Sequence, residues 1–205
     1  YRGYSIHDLA ARATFEEVAF LLIHGDLPTF LELKKFDEAL KSARILPEPV
    51  IEIIRATKEG HPMDVLKTAV SALAALEPAS QIVSETAFIK NGIRLISQLP
   101  VIIAAHHNIR NGRDPIIADP NITHAANWLW MLKGKKPSKE AARIADVDFI
   151  LHAEHGSNAS SFSARVTVGT KTNIHGAIIA ALATLAGPAH GGAAENVMKM
   201  VHEIG

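Results

Sequence analysis

The chain has 205 residues, 48% of them hydrophobic, and a mean hydropathy of +0.13. That is the size of one domain, or of a large domain with part of a second, with enough apolar mass for a substantial core. Lys plus Arg and Asp plus Glu balance at 21 each, so the net basic surface typical of nucleic-acid binding is absent. The lack of cysteine excludes disulfides, thiol nucleophiles and zinc–thiolate sites, and it is compatible with the reducing cytoplasm in which the protein is expected to work. Tyr1-Arg2-Gly3-Tyr4 carries no charged-then-apolar leader. Apolar runs such as 99–105 are too short to cross a bilayer, so no membrane partner is expected.

The elements read almost entirely as helix. Thr14-Phe15-Glu16-Glu17 is a capping-box pattern ahead of Val18, Phe20, Leu21 and Leu22, with Gly25 as the stop. Thr29-Phe30-Leu31-Glu32 repeats the pattern, and Leu33, Phe36 and Leu40 recur at helical spacing. A helix over 50–57 and another opened by His61-Pro62-Met63-Asp64 follow. Residues 80–98 and 100–111 read as a helical pair broken at Pro100, and 113–120 as an extended loop. Further helices are predicted over 122–133, from 137 to about 152, and over 158–168, 172–186 and 190–203. No strand-like alternation of useful length appears, so the predicted class is all-α, with many short-to-medium helices. Gly187-Pro188 is the one plausible domain edge, giving a large helical domain over 1–187 and the hinge and first helix of a smaller one over 188–205.

Two stretches could carry chemistry. Gly187-Pro188-Ala189-His190-Gly191-Gly192 places His190 in a glycine-rich turn just ahead of a helix. Unpaired N–H groups at a helix start create a positive local field. That field suits an uncharged imidazole donating to an oxygen that gains charge, as in an enol or enolate. The second stretch, 151–160, crowds His152, Glu154, His155, Asn158 and Ser160 into a helix–turn–helix junction. Its imidazole and amide donors suit a carboxylate-bearing ligand, with His152 and His155 at i, i+3 able to share a face. The spacing differs from His-Glu-x-x-His and no third ligand is near, so no metal is expected. Both stretches also fit a plainer account, in which glycines mark a turn and polar side chains satisfy backbone at helix ends. His7, His24, His61, His106, His107, His124, His175 and His202 read as packing or surface residues. Trp128 and Trp130 read as packing or a subunit contact.

Together these residues resemble the citrate synthase family, including the 2-methylcitrate synthases, from one end of the chain to the other. The resemblance rests on Tyr1-Arg2-Gly3-Tyr4 with Asp8-Leu9-Ala10, on Phe15-Glu16-Glu17-Val18 with Gly25-Asp26-Leu27-Pro28, and on His61-Pro62-Met63-Asp64. Its most specific parts are His152-Ala153-Glu154-His155 with Asn158-Ala159-Ser160, and the Gly187 to Gly192 turn. It implies a mostly helical, two-domain homodimer that condenses acetyl-CoA with oxaloacetate and water to give citrate and CoA, with no permanently bound cofactor. A 2-methylcitrate synthase would use propionyl-CoA.

The resemblance also implies roles. His190 would hydrogen-bond the thioester oxygen while an aspartate removes the α-proton, and His155 would bind the oxaloacetate. Asn158 and His152 would support that pocket. Glu154 is not expected to be the base. The family's later Gly-His segment, its catalytic aspartate and its carboxylate-binding arginines are expected after Gly205, so the 205-residue chain alone is expected to lack turnover. A different kind of reading is a truncated, non-catalytic homologue serving as a helical dimerisation module.

Overall fold

The computed structural model describes residues 1–77 and 84–204. Among them are eleven helices and no strand: α1 (Ile6–Arg12), α2 (Phe15–His24), α3 (Phe30–Ser42), α4 (Glu48–Ala56), α5 (Pro62–Leu76), α6 (Glu85–Arg110), α7 (His124–Lys133), α8 (Lys139–His152), α9 (Ala159–Gly169), α10 (Ile174–Leu185) and α11 (Gly191–Ile204). The fold is all-α, as the sequence predicts. The chain divides into two units, one of Tyr1–Lys58 with Ile89–His155 and one of Glu59–Phe88 with Gly156–Gly205.

In the first unit, α2 packs on α3, α7 and α8, and α1 packs on α8. Leu9, Val18, Leu21 and Ile150 close one core, with Tyr1, Ile6 and Phe15 packed against it. Ala19, Phe36 and Leu40 close another with Ile93 and Ile96 of α6. Both predicted capping boxes form: Thr14 pairs reciprocally with Glu17, and Thr29 with Glu32. Gly25 ends α2 in the left-handed conformation, φ 100°, where a Cβ would be strained. Polar ties lock the unit across long sequence separations. The Phe15 N–H donates to Asp146 Oδ1 at 3.0 Å, and Arg143 spans the Ala13 carbonyl and Asp146 Oδ2 at 2.7 Å each.

α6 corrects the expected break. It runs through Pro100 for 26 residues. A proline inside a helix removes one backbone bond and crowds the carbonyl four residues before it. Burial on both sides outweighs that cost: Leu95 and Gln98 precede the proline, and Ile102, Ala104 and Ala105 follow it, all almost fully buried. The predicted start at Ser80 lies outside the described residues. α6 is also long and apolar enough, by length and composition alone, to cross a bilayer, which the short apolar runs in the sequence did not suggest. Buried Gln98 and Asn108 sit along it, with Gln98 donating to the Ile45 carbonyl and Asn108 to the Ala104 and Met131 carbonyls. These ties mark a core helix of a folded unit.

In the second unit, α10 packs on both α9 and α5. α5 buries Val65, Leu66, Ala69, Val70 and Leu73, and α10 buries Ala177 and Leu182. Asn173 caps α10 by accepting the Gly176 N–H at 2.9 Å. α11 is different: it has no buried residue, and Val197, Met198, Met200, Val201 and Ile204 are all exposed.

Candidate active site

The turn before α11 is built by backbone. The Gly187 carbonyl accepts the His190 N–H at 3.0 Å and the Gly192 N–H at 3.1 Å. A Cβ on Gly191 would collide with the Leu185 carbonyl oxygen and the Leu185 side chain, so glycine is what lets the turn fold back onto the end of α10. His190 therefore sits directly ahead of the first residue of α11, as the sequence predicts.

Its imidazole has a partner that sequence reasoning gave no role. His190 Nε2 lies 3.0 Å from Ser160 Oγ, in the first turn of α9. Ser160 Oγ in turn donates to Asn158 Oδ1 at 2.7 Å. Asn158 is the N-cap of α9, and its Oδ1 also accepts the Ser161 N–H at 2.9 Å. Asn158, Ser160 and His190 thus form one hydrogen-bonded chain, all three partly buried. A hydroxyl has a single proton and two lone pairs. With that proton on Asn158, His190 Nε2–H donates to Ser160 and Nδ1 is the open acceptor. Ser160 stands in the 151–160 stretch and in Asn158-Ala159-Ser160, but its link to His190 spans thirty residues and has no local trace.

The other predicted residues lie in the first unit. α8 ends at His152, so His155 lies beyond the helix and the two do not share a helical face as the spacing suggested. His152 Nδ1 is 2.8 Å from the Asp148 carbonyl and 3.3 Å from Asp148 Oδ1, on a largely exposed side chain. His155 and Glu154 are exposed. Tyr1 Oη steadies this end of α8 by donating to the Ile150 carbonyl at 2.9 Å, with the Leu151 carbonyl at 3.1 Å. Among the described residues, no three His, Cys, Asp or Glu side chains gather as a metal-binding group.

Several histidines are structural. His106 is buried, with Nε2 2.9 Å from the Lys58 carbonyl. The His124 ring stacks on Phe15, with centroids 5.0 Å apart, and the His124 backbone N–H donates to Glu16 Oε1 at 2.8 Å. Burial, aided by the nearby Arg44 cation, pushes the His124 imidazole down to about 4. Burial pushes the Glu16 carboxyl up, against the opposing His124 N–H bond, and pushes Arg44 down. The first unit also holds an apolar cavity of about 550 Å³ lined by Arg44, Ile45, Leu46, Ile51, Val101 and Ile116 among others, and none of the sequence-predicted site residues lines it.

The sequence profile described as "Citrate synthase, C-terminal domain" matches residues 1–205. The chain belongs to the citrate synthase family. The citrate synthase of Deinococcus radiodurans is 42% identical over 204 residues, which cover 99% of this chain and 54% of that protein. The 2-methylcitrate synthase 2 of Corynebacterium glutamicum is 43% identical over 97% of this chain and 53% of its own length. Among solved structures, the citrate synthase of Pyrobaculum aerophilum superposes with a TM-score of 0.93 at 34% identity, covering all of this chain and 53% of that one. The Thermoplasma acidophilum citrate synthase, solved as a ternary complex with carboxymethyl coenzyme A and oxaloacetate, also gives 0.93, at 30% identity over 54% of its length. The chain therefore spans about half the length of the citrate synthase family members it matches.

Proposed function

We propose that the protein carrying this chain is a citrate synthase, condensing acetyl-CoA with oxaloacetate and water to give citrate and CoA. The observation that carries the reading is the Asn158–Ser160–His190 chain at the start of α11, in a chain matched throughout by the family. A thioester α-proton is weakly acidic, so its removal needs a base and an oxyanion donor acting together. His190 is the donor. Ser160 holds the ring through Nε2, and the imidazole stabilises the thioester oxygen as negative charge develops there. The aspartate that takes the proton is the one the family resemblance places after Gly205. His155 orients oxaloacetate, and Asn158 and His152 support that pocket.

Propionyl-CoA is the second acyl donor worth testing, because a 2-methylcitrate synthase is as similar as the citrate synthases. The same reading makes the protein a cytoplasmic homodimer with no nucleic-acid or membrane partner and no bound metal. It assigns residues 1–187 to a large domain and 188–205 to the hinge and first helix of a small one.

The test is CoA thiol release by the full-length protein with each acyl-CoA, with and without oxaloacetate. Oxaloacetate-dependent release is expected, with kcat lowered about a hundredfold or more by His190→Ala. Unchanged kcat in that variant removes His190 from the chemistry, and no release by the wild type favours a non-catalytic helical module. The 205-residue chain alone is expected to give no release.

A further inference from the structure

α11 begins one residue after His190 and buries none of its own residues, so what fixes its N-terminal end matters for the imidazole. Two histidines do this within the second unit. One is His190 itself, bonded to Ser160 of α9. The other is His61, a surface residue by its sequence, which sits at the N-cap of α5. His61 Nδ1 accepts the Met63 N–H at 3.3 Å, so its ring hydrogen is on Nε2. Nε2 lies 3.3 Å from Glu195 Oε2, on α11 and five residues after His190. The second carboxylate oxygen, Oε1, is 2.8 Å from Lys199 Nζ. Lys199 and then His61 hold the Glu195 carboxyl below its usual range. Each atom of the relay is therefore assigned: backbone N–H to Nδ1, Nε2–H to Oε2, and Nζ to Oε1.

The two anchors rest on different helices. α9 carries Ser160 and α5 carries His61, and both pack on α10. The start of α11 is thus held at two points, His190 and, five residues further on, Glu195. We infer that His61 is a positioning residue for His190: through Glu195 it ties α11 to α5 and so fixes the orientation of the turn that presents the catalytic imidazole. The inference rests on the role proposed for His190. The pair is half-exposed, and such pairs contribute little to global stability. Catalytic geometry is more sensitive, because displacing a reacting group by about 1 Å can cost on the order of a hundredfold in rate. The bond should therefore register in turnover and in local order while leaving the melting point almost unmoved.

The experiment compares wild type, H61N, E195A, the double variant and E195Q in the full-length protein. Asn keeps a capping acceptor for Met63 but is too short to reach Glu195, and Gln at 195 keeps an acceptor for His61. H61N and E195A are each expected to lower kcat about three- to tenfold, with the oxaloacetate Kd within about twofold of wild type. The double variant is expected to be no worse than the poorer single, and E195Q to keep at least about half of kcat. Hydrogen exchange of the Gly187–Gly192 amides, which does not depend on the reaction, is expected to quicken in H61N and E195A alike. Unchanged exchange in that turn overturns the inference whatever the enzyme catalyses. So do multiplicative losses of kcat in the double variant. Wild-type turnover that is insensitive to His190→Ala would instead overturn the proposed function.

Discussion

His190 Nε2 and Ser160 Oγ lie 3.0 Å apart across thirty residues of sequence, and the hydroxyl between His190 and Asn158 has one proton to give. That relationship leaves Nδ1 as the ring nitrogen not bonded to Ser160. Ser160→Ala removes the partner of Nε2 and frees the ring to rotate. In the full-length protein, kcat is expected to fall about ten- to a hundredfold while oxaloacetate affinity, measured by calorimetry, changes little. Turnover equal to wild type would mean that the hydroxyl does not position the ring.

Gly191 and Gly192 are adjacent but not equivalent. A Cβ at 191 meets the Leu185 carbonyl and side chain, whereas at 192 the nearest atom is the Gly187 carbonyl oxygen at 3.0 Å. Gly191→Ala is therefore expected to displace the His190 turn and cost more kcat than Gly192→Ala. Steady-state assays of the two variants check the order, and a reversed order would contradict the packing at the end of α10.

The buried His124 makes stability pH-dependent. Its imidazole is near 4 when folded and near 6.5 when unfolded, so between those values the unfolded chain binds more protons. Stability contributed by keeping the ring neutral is present above about pH 6.5 and is lost as pH falls toward 4, by roughly 3 kcal/mol in all. Glu16 acts in the opposite direction: its carboxyl is raised by burial, so falling pH relieves a cost of the charged form. Comparison with His124→Gln isolates the imidazole. Denaturant unfolding at several pH values from 7 to 4 is expected to show a flatter profile in the variant, and parallel profiles would rule out this account.

Pro100 interrupts the hydrogen-bond ladder of a helix that nevertheless continues. Pro100→Ala supplies the missing N–H and removes the crowding at the carbonyl of Ile96. It is expected to stabilise the protein by about 1 kcal/mol or more, read as a raised denaturant midpoint with an unchanged slope. A loss of stability would indicate a break at this position after all.

Local chemistry was legible in the sequence, and long-range chemistry was not. Thr14 with Glu17, Thr29 with Glu32 and Gly25 each act within one turn, so their residue types give the element directly. α1 escaped notice because it is seven residues long, has no side-chain cap bond and buries only Leu9. At Pro100 the local signal pointed the wrong way, since burial of residues far apart in the chain outweighs a backbone preference. His190 was identifiable from its glycines and from the family resemblance. The bonds made by Ser160 and His61 were not, because their partners lie 30 and 134 residues away.

α11 carries one more consequence, for anyone preparing these 205 residues by themselves. Val197, Met198, Met200, Val201 and Ile204 present a strip of thioethers and branched aliphatics to water. Such a strip is sticky in the colloidal sense: it draws copies of the chain together, takes up apolar dyes and lowers the concentration at which a solution clouds. Its two methionines are also open to oxidation, and the sulfoxides would make the strip polar and the preparation more soluble.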